Sequence, residues 1–300
     1  MECPKCRYQR KPTDVTFPAW QCPSCGVAYV KASGVTSRPT LPRRERADVN
    51  PRFHPRRALD YVLTLLVVSS ILLTAIAGWR KDSLPPQNTL LPETQNVPVQ
   101  KTTQKKAFTF AYRGENYLIE PVADYELWGL VVTHNDIQGF TDIMHTKDSV
   151  DIKDICVIWG NNTKTSDYLK VSYSSGDFIC YFQYPYGTIF DHYALSNNHL
   201  LSDKEHIRER IHHARIGDQI HLQGMLVNYQ PQSKPNWIRR TSTTRDDTGN
   251  GACEVIFVTQ YEILHSSNSA WHATFTIAFW SVLLSLILKV IRMALPPRRQ

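Results

Sequence analysis

Gly217 to Val227, GDQIHLQGMLV, begins on a turn pair and then alternates. Ile220, Leu222, Gly224 and Leu226 fall on one side of an extended chain, His221 and Gln223 on the other. Glycine at the centre of a strand marks sharp coiling or close backbone approach. The stretch therefore points to a small, strongly curved β-structure.

Its surroundings agree. Downstream, CEVIFVTQYEIL (Cys253 to Leu264) is a further strand; upstream, LWGLVVTH from Leu127, ICVIWG from Ile155, YLKVSY from Tyr168 and DFICYFQY from Asp177 are others. AFTFAY and ENYLIEP flank Arg113 and Gly114, a hairpin signal, because glycine accepts the positive φ of a tight turn. DKEHIRERIHHAR, Asp203 to Arg215, reads as one helix: Ser202 and Glu205 form a capping-box pattern, Ile207 and Ile211 share a face, and Gly217 stops it. A turn into an alternating strand with a central glycine is common in small Greek-key barrels of the OB type. Residues 107–265 are thus expected to be a β-rich domain with one helix, OB-like in outline.

Two apolar runs bracket this domain. Tyr61 to Trp79 has no charged side chain, and Ala270 to Leu288 has none apart from His272. At nineteen residues each is about long enough to cross roughly 30 Å of hydrocarbon as a helix. A buried core helix is the alternative for both, and a signal peptide for the first, though no small-residue cleavage site follows it. Residues 1–60 carry 12 Lys and Arg against 5 Asp and Glu, residues 80–270 carry 18 against 22, and the tail from Lys289 carries 4 against none. Basic flanks stay preferentially in the cytoplasm and meet anionic lipid there. The expected arrangement is a bacterial inner-membrane protein with two spans (60–79 and 270–291), both termini cytoplasmic and residues 80–270 periplasmic. Residues 32–59 read as a basic linker, 80–106 as a flexible Pro- and Gln-rich stalk, and 292–300 as a basic tail.

Cys3, Cys6, Cys22 and Cys25 stand as C-x2-C-x15-C-x2-C, a spacing that gathers four thiolates around one tetrahedral ion. Structural zinc is the expected cofactor, with iron in a rubredoxin-like site the minor alternative. A redox pair would sit at a helix start in a larger α/β unit, which is missing here. Residues 1–31, CPKCRYQRKPTDVTFPAWQCPSCGVAYVK from Cys3, resemble the short zinc ribbons at the N-termini of bacterial inner-membrane proteins, with CPKC standing in the first knuckle for the commoner CPxCG. Such ribbons bind protein or nucleic acid; a protein partner is favoured here. WGLVV from Trp128, NNHLL from Asn197, GDQIHLQGMLV and TRDDTGNGACEVIFV from Thr244 resemble a family of uncharacterised bacterial membrane-anchored proteins, often with the same order of ribbon, span and domain. That resemblance implies no activity.

Three cysteines fall in the exported part. Of the possible pairings Cys180 with Cys253 is favoured, a bond closing about seventy residues and worth about 4 kcal/mol by chain entropy; Cys156 reads as a small buried hydrophobe. In TRDDTGNGACE the Asp, Gly and Asn residues have turn chemistry, and Asp246 and Asp247 fall short of the six to eight oxygens that Ca²⁺ takes. The histidines of the helix read as a solvated face. His199, in a turn ahead of the helix, is placed to flank a cleft with His221, and a neutral His is a competent general base. His199, Arg245 and Asp246 are the catalytic candidates, and Cys253 a nucleophile only with a base such as His199 beside it. The leading expectation is a membrane-anchored binding, adaptor or sensor protein. An exported hydrolase or nuclease-like barrel and a structural subunit of a membrane assembly are the alternatives.

Overall fold

The structure is a computed structural model describing residues 1–32, 55–135, 149–176, 179–247 and 252–295, with backbone alone at 55–57. Most of the expected linker, the loop 248–251 and the end of the tail lie outside the described residues. The chain forms two compact units, residues 1–55 and 56–300.

In the first unit each C-x2-C turns on itself. Arg7 N–H bonds to Cys3 O at 2.8 Å and Gly26 N–H to Cys22 O at 2.9 Å, and both Arg7 (φ 53°) and Gly26 (φ 69°) are left-handed. Two isolated bridges, Glu2 with Gln9 and Gln21 with Ala28, frame the knuckles, and α1 (Tyr29–Ala32) ends the unit.

The second unit begins with α2 (Pro55–Arg80) and ends with α5 (Ser269–Ala294). Both are long and apolar enough to cross a membrane, and only 22% and 11% of their most apolar stretches is buried, so neither serves as a core helix. They run antiparallel: Ser70 and Ser281 hydroxyls lie 2.9 Å apart, Lys289 Nζ donates to Thr64 Oγ1 at 2.9 Å, and Arg292 binds Asp60.

Between them lie β1 (Val99–Thr102), β2 (Phe108–Tyr112), β3 (Glu115–Asn135), β4 (Lys153–Ile158), α3 (Asn161–Lys164), β5 (Ser172–Gly176), β6 (Ile179–Gln183), β7 (Leu195–Leu201), α4 (Glu205–His212), β8 (Asp218–Pro231) and β9 (Glu254–Ser266). β3 pairs antiparallel with both β4 and β8; β7 pairs antiparallel with β4 and parallel with β9; β9 pairs antiparallel with β8. The mixed sheet therefore closes on itself as β3-β4-β7-β9-β8-β3. Leu127, Ile155, Val157, Leu200, Ile220, Leu222 and Ile256 fill the interior, with Ile207 and Ile211 of α4 packed among them. The alternation of the opening stretch holds, since Ile220, Leu222 and Leu226 point inward. The β2–β3 hairpin turns at Arg113 (φ 49°) and Gly114 (φ 85°) as expected.

Gly224 is where β8 and β9 shift register, and a Cβ there would collide with Phe257 O and lie 3.1 Å from Val258 Cα. Gly224→Ala is expected to destabilise the domain by about 1–3 kcal/mol through forced displacement of β9. Urea unfolding would measure it, and an unchanged midpoint would refute the tight approach.

Three expectations need correction. Residues 83–96 are not a free stalk: Tyr168 OH donates to Pro85 O at 2.5 Å, Gln219 exchanges hydrogen bonds with Leu91 N and Thr89 O, and the fully buried Thr94 accepts from Gly160 N. Polar composition does not exclude order when barrel side chains satisfy the backbone. The collar so formed continues into β1, which pairs with β3. The capping box is absent: α4 begins at Glu205 with Lys204 at its N-cap, Ser202 Oγ reaches only Lys204 N and Val258 O, and Glu205 pairs with Arg208. His199 lies within β7, not in a turn.

Candidate functional site

Two sites emerge, one in each unit. In the first, the four sulfurs of Cys3, Cys6, Cys22 and Cys25 lie within 4.8 Å of one another, close enough to hold a metal ion. Arg10 ties the intervening loop by donating to the carbonyls of Pro18 and Gln21 at 3.0 and 3.1 Å and to those of Asp14 and Phe17.

In the second unit, β5 and β6 form a separate two-stranded arm. Its apolar face, with Tyr173, Cys180 and Phe190, packs on Leu130, Val132, Cys156 and Ile158 of β3 and β4. Cys156 is joined to Cys180 by a disulfide, with Cα atoms 6.2 Å apart, and Cys253 is buried and in no disulfide. The expected pairing of Cys180 with Cys253 is therefore corrected. Register decides it: Cys156 faces Asn197, and β7 pairs with β9 so that Asn198 faces Glu254. Asn197 thus lies between Cys156 and Cys253, its Nδ2 donating to Cys253 Sγ at 3.6 Å, while Cys180 on the arm is taken up by Cys156. Peptide mapping without reduction is expected to recover Cys156 linked to Cys180, and breaking that link to cost about 3 kcal/mol for its 24-residue separation. A Cys180–Cys253 peptide would overturn this.

The arm and the 232–253 connection leave a cleft of about 180 Å³ on β7, lined among others by Phe182, His192, Asn197, Arg245, Cys253 and Glu254. Arg245 does not pair with Asp246. Its guanidinium binds the Glu254 carboxylate, donates to Tyr125 OH at 3.1 Å and sits over the Tyr125 and Trp159 rings. Asp246 is exposed and makes no hydrogen bond or ion pair among the described residues, while Asp247 accepts from Ser242 Oγ at 2.5 Å. Burial pushes the Glu254 carboxyl up to about 7 against the opposing pull of Arg245, and its Oε2 has no partner.

His199 is buried behind the cleft. Its Nδ1 lies 2.6 Å from Asp154 Oδ1 and its Nε2 2.9 Å from Arg239 Nη2, and its side chain also hydrogen-bonds Cys253. Burial lowers its pKa, but the fully buried Asp154 outweighs burial and holds it up at about 10. The expected flanking of a cleft by His199 and His221 does not occur. His221 stacks on Trp128 with ring centroids 4.5 Å apart and contacts Glu126 Oε1 at 2.8 Å. The structure thus joins His199 with Cys253 and Asp154, and separates it from Arg245 and Asp246 in role. Sequence reasoning missed Glu254 and Asp154. The only signal for either was a charged residue inside an apolar strand pattern, and such a residue is unburied as often as not until its partner is known.

Comparison with protein-family models, curated proteins and solved structures finds no match to this chain.

Proposed function

We propose that this chain is a two-span inner-membrane binding protein, with a cytoplasmic zinc ribbon at one end and an exported OB-like barrel that engages a protein partner. The observation that carries this is the position of the cleft. In OB-like barrels the second and third strands and the loop between the fourth and fifth form the binding surface. Counted around the present barrel, these are β4, β7 and the 232–253 connection, and α4 lies between the third and fourth strands as that order requires. The cleft sits on β7 beside that connection. At about 180 Å³ it is smaller than the 300–1,000 Å³ typical of small-molecule sites, so it suits one inserted side chain of a partner. The stapled arm covers the neighbouring strand, which leaves no open track for an extended oligonucleotide.

Zinc is the metal that four thiolates in this closed arrangement suit best. Both chain ends leave the antiparallel helix pair on one side, and the basic residues at 43–57 and 289–299 favour the cytoplasm for it. In intact cells, a membrane-impermeant maleimide should label Tyr186→Cys, which is fully exposed, but not Gln300→Cys. Labelling of both from the same side would sink the two-span arrangement. A photo-crosslinking residue at Phe182 should capture a defined partner in native membranes, and one at the exposed Lys234 should not. Equal capture at both positions, or none at Phe182, would sink the binding function.

An enzymatic function rests on one observation, the raised Glu254 carboxyl with a free oxygen in the cleft, where a perturbed acid is a candidate proton donor. It does not run through Asp246. Glu254→Gln with unimpaired cellular function would remove it.

A further inference from the structure

Where the two long helices meet the barrel there is a cavity of about 370 Å³, lined among others by Arg80, Leu84, Pro85, Ser267, Asn268 and Trp271. Several donors at its wall have no acceptor among the described residues. The Arg80 guanidinium lies 5.6 Å from the Trp271 ring and 5.8 Å from the Trp79 ring and pairs with no carboxylate among the described residues. The Ser267 hydroxyl is buried without a partner. Asn268, at the N-cap of α5, does not cap it; its Nδ2 is drawn away to Ser83 O at 2.7 Å and Ile216 O at 3.1 Å. The first intrahelical bond of α5 is that of His272 N to Asn268 O, so the amides of residues 269–271 have no helical acceptor. A helix start, a free guanidinium and a free hydroxyl around one cavity make a site for an anion.

We propose that this cavity binds the phosphate of a glycerophospholipid from the exported leaflet, with Arg80 as its principal contact; this rests on the two-span arrangement proposed above. Position selects a lipid over a soluble anion. The cavity lies at the end of two apolar helices, at the level where Trp79 and Trp271 match the aromatic belt of a membrane interface. Leu84, Pro85 and Pro86 give its wall an apolar surface against which the glycerol and upper acyl chains pack. Arg80 also stands in the last turn of α2, where any cation complements the carbonyl end of the helix, and the test must separate that role.

Full-length protein in a neutral detergent would be titrated with phosphatidylglycerol, with diacylglycerol and with inorganic phosphate, following bound lipid by native mass spectrometry and the melting temperature in parallel. Phosphatidylglycerol is expected to bind and to raise the melting temperature, diacylglycerol and inorganic phosphate at the same concentration to do neither. Arg80→Gln should weaken lipid binding tenfold or more, Arg80→Lys less, and Lys81→Gln hardly at all, because Lys81 pairs with Asp82. The proposal is overturned if Arg80→Gln binds phosphatidylglycerol as wild type does, if diacylglycerol binds equally, or if inorganic phosphate alone gives the full effect. It is also overturned if Arg80→Gln lowers the melting temperature by the same amount with and without lipid, the outcome of a helix-end role only. Failure of the two-span arrangement would show separately, as release of the protein from membranes by alkaline carbonate.

Discussion

Stripping the metal from the ribbon is expected to unfold residues 1–32 outright. Among these residues only the side chains of Cys3 and Cys22 are buried, so no apolar core offsets the roughly 1–2 kcal/mol per residue that ordering a backbone costs. Arg10 and its carbonyl acceptors fix one loop, but hydrogen bonds near the surface contribute only about 1 kcal/mol each. Coordination by four thiolates contributes on the order of 10–16 kcal/mol in comparable small domains, which is enough. Full-length protein treated with a strong chelator, or carrying Cys22→Ser, should be cut by trypsin after Lys5, Arg7 and Arg10 while cleavage inside residues 107–265 stays slow. Metal analysis should show one ion lost per chain. Persistence of trypsin resistance after that ion has gone would show a ribbon that folds without it. Arg7 adds a quantitative check: a non-glycine residue in the left-handed region costs about 1–2 kcal/mol, so Arg7→Gly should retain metal at chelator concentrations that strip wild type.

The second large effect is an inverted pH dependence of the barrel. Glu254 titrates at about 7 in the folded chain against 4.5 in the unfolded one, because burial disfavours its ionised form. Between those values the folded state holds a proton that the unfolded state has released, so stability falls as pH rises. Over that window the loss is on the order of 3 kcal/mol, or roughly 6–12 °C in melting temperature for a domain of this size. Asp218, raised by burial, adds to it. Glu126 and Asp124 have lowered values and reverse the trend only in acid. The detergent-solubilised protein should therefore melt higher at pH 5 than at pH 8, and Glu254→Gln should remove most of the slope between pH 5 and 7. A melting temperature that rises across this range would exclude a buried, raised Glu254.

Much of the plan was legible in residue order. Apolar length marked both long helices, the C-x2-C spacing gathered the four sulfurs, and Arg113 with Gly114 placed a hairpin, because each depends on neighbours in sequence. Gly224 announced tight coiling for the same reason. What escaped depended on partners far along the chain. Pro, Gln and Thr between residues 83 and 96 look like a solvated spacer until Tyr168 and Gln219 supply their hydrogen bonds. ENYLIEP and LWGLVVTH read as separate strands; in the structure β3 runs through both, with a bulge between Pro121 and Ala123. The sequence favours Cys180 with Cys253, whereas the packing that brings Cys180 to Cys156 and sets Asn197 beside Cys253 is made by strands far apart in the chain. His199 stands out as a catalytic candidate in the sequence, yet its surroundings are distant in the chain: Asp154 on β4 and Arg239 in the connection after β8.

The collar at residues 83–96 also sets a distance. The barrel is held to the helix pair at two points: β9 passes into α5 across Ser267 and Asn268 alone, and the segment after α2 is tied back through Gln219, Tyr168 and Thr163. With both ends held, the barrel has little slack, and in the two-span arrangement proposed above the cleft on β7 would ride at a constant height over the bilayer. A partner of the kind proposed would then have to present its side chain at that height, so distance from the membrane, as well as chemistry, would decide what is bound.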